Sequence, residues 1–209
     1  MRARIFASSA ALACAWMLLA GSGCPLIPEA EERTVELAVV GSAVQEFQAR
    51  GIINTYAQEE EFNLGQDIDI REILDDNGVD VADLTDLSLA AVYVRCTVPD
   101  PNPGRHIADG TVAVGRDGGA LASLVSDFEL DVDTATDWTE VSLAPAGVSV
   151  LNDALDDLLA DLKAGVDSDI TLKYAAAGVS QPTGASTSFD WELRVDLNIV
   201  GTVTVDIYH

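Results

Sequence analysis

Few residues in this chain could do chemistry, and the densest group of them is acidic. The run Asp75-Asp76-Asn77-Gly78-Val79-Asp80-Val81-Ala82-Asp83-Leu84-Thr85-Asp86 approaches the spacing of a calcium loop. Such loops place oxygen ligands at positions 1, 3, 5, 7, 9 and 12. Counted from Asp75, the fit is Asp75, Asn77, the Val81 carbonyl, Asp83 and Asp86. Position 5 is Val79, which has no oxygen on its side chain, and Asp80 stands where the loop needs glycine. The competing expectation is a helix end followed by a solvated acidic turn, with no metal.

Nucleophiles are scarcer. Cys96 lies between Val94 and Val98 in an apolar strand pattern, where a small buried thiol belongs. A catalytic thiol needs a histidine nearby, and the chain has only His106 and His209. Gly147-Val148-Ser149 lacks the second glycine of a Gly-x-Ser-x-Gly elbow. With 35 acids, no carboxylate pair stands out for glycoside cleavage. There is no phosphate loop, dinucleotide fingerprint or zinc spacing. The expectation is a protein that is not an enzyme, with no catalytic residue and no cofactor. Of the aromatic residues, Trp191 falls in the buried phase of its strand. Trp138 sits at a loop-to-strand junction and is the candidate binding residue.

Charge narrows the partners. The formal net charge is −24, from 35 acids against 11 lysines and arginines. That field repels nucleic acid and anionic surfaces, and it attracts cations or a basic partner. Its ordinary consequence is solubility. The apolar fraction of 48% is ample for a core.

The elements that must position these residues are mostly strands. Thr34 to Gln48 reads as a strand bent near Gly41, and Glu59-Glu60-Glu61 as a polar turn. A short helix near 68–76 carries Ile68, Ile70, Ile73 and Leu74 and ends at Asn77-Gly78. Leu87 to Val98 is a strand with two apolar faces. Val92, Val94, Cys96 and Val98 form one face and Leu87, Leu89, Ala91 and Tyr93 the other, with Arg95 at a rim. Asp137-Trp138 opens a strand running through Leu143. An amphipathic helix near 149–164 is capped by Ser149 and buries a leucine-rich stripe from Val150 to Leu162. Phe189 to Val200 alternates apolar and polar residues, the mark of an antiparallel sheet with one wet face. Val203, Val205 and Ile207 either continue that strand or form a hairpin after Gly201. The fold class is therefore mainly β. We expect an antiparallel β-sandwich, jelly-roll or immunoglobulin-like, with these two helices.

The N-terminal stretch gives the location. Arg2 and Arg4 precede an uncharged run from Ile5 to Ala20, followed by Gly21, Ser22, Gly23 and Cys24. That order is the pattern of a secretory signal peptide. Small residues ahead of Cys24 resemble the lipobox of bacterial exported lipoproteins, although Gly21 stands where the family usually has leucine. The likeness covers residues 1 to about 33. It implies lipid attachment at Cys24, and Pro25 rather than aspartate after it points to the outer membrane of a Gram-negative bacterium. Cys14, with Ala11-Leu12-Ala13 ahead of it, competes for the lipid but leaves only a stub of hydrophobic core, and ordinary cleavage near Gly23 is the other alternative. Asp67-Ile68-Asp69-Ile70 and the strand led in by Asp83-Leu84 also look like domains of uncharacterised secreted lipoproteins, a likeness that carries no activity.

The expected organisation is a signal peptide over 1–23, a tether over 24–33 and a single β-sandwich domain over 34–209. The expected role is a lipid-anchored envelope module, non-enzymatic, that binds an envelope protein or matrix or serves structurally. The alternatives are a carrier of a small apolar or lipid ligand beneath the leucine stripe, and a calcium-stabilised adhesin-like domain.

Overall fold

The computed structural model describes residues 30–208. The signal segment, Cys24 and His209 lie outside the described residues. Two antiparallel sheets pack face to face. Eight strands build them: β1 (Ala30–Ile52), β2 (Thr55–Asn63), β3 (Leu84–Val98), β4 (His106–Arg116), β5 (Ala122–Asp131), β6 (Thr139–Glu140), β7 (Thr171–Gln181) and β8 (Thr187–Tyr208). The order is β1-β8-β3-β6 in one sheet and β2-β7-β4-β5 in the other. First strand pairs with last, second with seventh, third with sixth and fourth with fifth. This is a hairpin ribbon rolled around a core, and it decides for the jelly roll over the immunoglobulin-like alternative.

The alternation in β8 works as its pattern predicts. Phe189, Trp191, Leu193, Val195, Leu197 and Ile199 are buried between the sheets. β8 does not turn at Gly201. That glycine is buried, and a Cβ there would come within 2.6 Å of Val79 Cγ1. It permits a close approach, and the strand runs on to pair with β1 as far as Ala30. β1 therefore begins inside the stretch expected to be tether, and the overhanging ribbon is continuous with the sandwich.

Two other expectations change. Glu59, Glu60 and Glu61 form no turn; they lie in β2, paired with Ala175, Tyr174 and Lys173. β3 does not carry two apolar faces. Register shifts between Leu84 and Asp86 and between Leu89 and Ala91 move the inward phase, so Leu84 and Leu87 lie buried with Val92, Val94 and Cys96, while Tyr93 and Arg95 face outward.

Helices complete the core. α1 (Leu64–Asp67) and α2 (Ile70–Asp76) follow β2, and α3 (Pro145–Ala164) follows β6. Pro145, rather than Ser149, opens α3, with Ala144 at the cap and Gly165 closing it in the left-handed region. Leu151, Ala154, Leu155, Leu158 and Leu162 are buried. α3 packs on β3, β4 and β5, on the side of the sandwich where β6 is only two residues long. Among the described residues no helix is long and apolar enough to cross a membrane.

Candidate functional site

Trp138 lies just before β6, whose pairing sets Glu140 opposite Tyr93 and Thr139 opposite Val94. That brings the indole over the outer face of the first sheet. The Arg95 guanidinium lies 4.2 Å from the Trp138 ring centre and that of Arg194 lies 4.9 Å from it. Arg194 also sits 4.2 Å from the Tyr93 ring. Each arginine is held by a carboxylate. Arg95 Nε donates to Glu192 Oε2 at 2.7 Å, and its Nη2 is 2.6 Å from the same oxygen. Arg194 Nε is 3.0 Å from Asp196 Oδ1, which also accepts from Ser42 Oγ at 2.8 Å. Alternation in β8 puts Glu192, Arg194 and Asp196 on one face, and β3 adds Tyr93 and Arg95 across from them.

Trp138 is therefore half-buried on a stack of rings and guanidinium groups. Arg95 faces outward near the end of β3, opposite Glu192 of β8. The arrangement holds the irregular 132–138 segment to the sheet, and it offers stacking and charge to a ligand. The cations are already taken by carboxylates, so it is a surface built to hold groups in place. Arg194, Glu192 and Tyr93 were not singled out from sequence. Their only signal there is charge beside aromatic residues on outward strand positions.

A second assembly lies at one end of the sandwich. The strand pairings bring the connections 53–54, 99–105, 132–138 and 182–186 together, and hydrogen bonds knit them. Asp100, almost fully buried, accepts from the backbone N–H of Ser188 at 2.7 Å and of Asn102 at 2.8 Å, and from Asn102 Nδ2 at 2.9 Å. Its own N–H donates to Val132 O. Burial alone would raise the Asp100 carboxyl, but the bonds from Ser188 and Asn102, helped by Arg105, carry it below the usual carboxylate range. Gly104 N–H donates to Asp133 at 2.7 Å, and Gly184 N–H to Asn54 Oδ1 at 3.0 Å. Ile53 and Val98 stand exposed on this end.

The other sequence candidates do not converge. Asp75 lies in the last turn of α2, Asn77 caps it and donates to Ile73 O, Val81 and Asp83 lie in a 3-10 turn, and Asp86 lies in β3 accepting from Ser88. Asp80, in the place of the loop glycine, caps that turn through Ala82 N–H. Among the described residues no group of three or more His, Cys, Asp and Glu side chains is placed to hold a metal ion. Cys96 is buried, and burial first, with Asp190 and Asp133 after it, pushes its thiol up to about 11. His106 begins β4, in the opposite sheet from Cys96.

The leucine stripe is packed. Leu151 and Leu155 border an apolar cavity of about 20 Å³, lined also by Phe62, Ile68, Leu193 and Leu197. That is room for about one water molecule. It counts against a ready-made site for a lipid.

No protein-family model matches the chain, and no curated protein matches it. Among solved structures it is similar to the structure of the infectious bursal disease virus Gt strain, at 12% identity and a TM-score of 0.26 over 88% of this chain and 37% of that one. The structure of the Gx strain of that virus gives 10% identity and a TM-score of 0.28 over 91% of this chain and 45% of that one. The chain thus spans less than half of either. At these TM-scores the likeness carries no functional argument.

Proposed function

We propose that this protein is a cell-envelope β-domain, exported and anchored through a lipid on Cys24 in an outer membrane, where it serves as a non-enzymatic binding or structural module. The observation that carries this reading is the polarity of the sandwich. The chain enters at Ala30, and the four knitted connections lie at the other end of β1. From Cys24 to Ala30 the chain can reach about 20 Å at most. An anchor at Cys24 would therefore hold the entry end near the bilayer and turn the loop end, with Ile53 and Val98, toward an envelope protein or matrix partner.

Mass spectrometry of the N-terminal peptide from membranes tests the anchor: the peptide should begin at Cys24 and carry acyl mass. A peptide with an unmodified Cys24 sinks the anchor. A pull-down from envelope extract tests the module, with Ile53→Asp and Val98→Asp as probes of the loop end. Both side chains are exposed, so the variants should keep their fold and lose the partner. Retention of the partner by both variants sinks the loop end as the contact.

A further inference from the structure

A sheet edge leaves N–H and C=O groups open to another strand, and folded proteins protect such edges with charge, shortness or cover. Among the described residues this sandwich has four edges, and three are protected in those ways. β2 carries Glu59, Glu60 and Glu61 in succession. β5 carries Asp127, Glu129 and Asp131, all exposed. β6 is two residues long. β1 differs. Among the described residues its only strand partner is β8. From Leu37 to Gln45 it has no charge and no proline, in a chain of net charge −24. Val40, within that window, is 55% exposed. A neutral, β-branched window on an open edge is a template for strand pairing.

We propose that this edge is the seam of a homodimer, in which β1 pairs antiparallel with β1 of a second copy about a two-fold axis at Val40, joining two four-stranded sheets into one. Two acidic copies repel at the β2 and β5 edges but can approach at this neutral one, and charge then selects the register. An axis at Gly41, the middle of the window, would set Glu36 opposite Glu46, and like charges directly opposite are unfavourable. An axis at Val39 would set Glu32 opposite Glu46. An axis at Val40 sets Glu36 opposite Val44 and Glu46 opposite Thr34, and leaves Val40 facing its own copy. Side-chain parity is kept, so both copies present the same face. The acidic runs of β2 and β5 lie on the other sheet. Long-range repulsion between two acidic copies is screened beyond about 8 Å at physiological ionic strength.

Residues directly opposite on antiparallel strands lie within disulfide reach. The full-length chain carrying Val40→Cys, expressed in a bacterial envelope and mildly oxidised, should give a disulfide-linked homodimer. The parent chain and Glu46→Cys, whose opposite residue is Thr34, should give none. Sedimentation of the parent chain should show a dimer that strengthens with salt, and Val40→Lys should leave only monomer with the same circular dichroism spectrum. A monomer at every concentration and salt overturns the proposal. So does equal crosslinking at positions 40 and 46, or crosslinking of Val40→Cys to a different protein.

Discussion

The Arg95 guanidinium lies over the Trp138 ring, with its carbon 4.2 Å from the ring centre, while Glu192 accepts from its Nε. This contact ties the irregular 132–138 segment to the first sheet. Backbone bonds assist it: Cys96 N–H donates to Thr136 Oγ1, and Thr136 N–H to Cys96 O. Trp138→Ala removes the ring that both arginines use. Partly desolvated cation–π contacts contribute about 0.5 to 2 kcal/mol each, so we expect a loss of about 1 to 2 kcal/mol. Unfolding should remain cooperative, because the core does not depend on Trp138. Thermal denaturation followed by circular dichroism checks this. A loss of cooperative unfolding would mean that the indole is a core residue.

The other described tryptophan behaves differently. Trp191 is 1% exposed, stacks on Phe47 with ring centres 4.4 Å apart, and donates from Nε1 to Tyr56 Oη at 3.0 Å. Trp191→Ala should cost about 3 to 5 kcal/mol, the range for deleting a large core aromatic. Tyr56→Phe is the sharper test, because it keeps the shape and leaves a buried indole N–H without its acceptor. We expect about 1 to 3 kcal/mol in chemical denaturation, with an unchanged urea slope.

What could be read from sequence follows a physical divide. β8 was legible because one wet and one dry face impose strict alternation. α3 was legible because its stripe must be buried on the sandwich. β2 was not, because an edge strand can leave Glu60 half-buried on the face of Tyr56 and Phe62 while Glu59 and Glu61 point out, and three acids in a row look like a turn. The phase of β3 was hidden by register shifts, which composition does not mark. The stack around Trp138 and the clamp at Asp100 depend on partners far along the chain, such as Arg194 and Ser188, and spacing cannot foresee them. Trp138 was legible as a residue apart, though its arginine neighbours were not.

Gly147 lies in the first turns of α3, where alanine would ordinarily favour the helix by about 1 kcal/mol. Here a Cβ would stand 2.4 Å from Leu124 Cα and 2.6 Å from Ser123 O. Both are backbone atoms of β5 and cannot rotate away. The steric term therefore wins. Gly147→Ala should destabilise the fold by about 1 to 3 kcal/mol, the usual cost of overpacking. A rise in Tm would show that α3 can slide off β5 and that its seat there is loose.

The Asp100 clamp gives the fold a dependence on acid. Its carboxyl is held below the usual range in the folded state, by hydrogen bonds that outweigh its burial. A group with a lowered folded pKa binds its proton more readily when unfolded, where the ordinary value is about 3.9. Its contribution to stability is complete above that value and fades as pH falls through the folded one. Asp100→Asn keeps the shape but loses the charge on bonds that contribute about 1.5 to 3 kcal/mol when charge-assisted. The variant should be less stable than the parent at pH 7, and the gap should narrow as the solution is taken below pH 4. Urea denaturation of both chains across that range reads it directly. A gap that stays constant with pH would place the role of Asp100 in shape rather than charge.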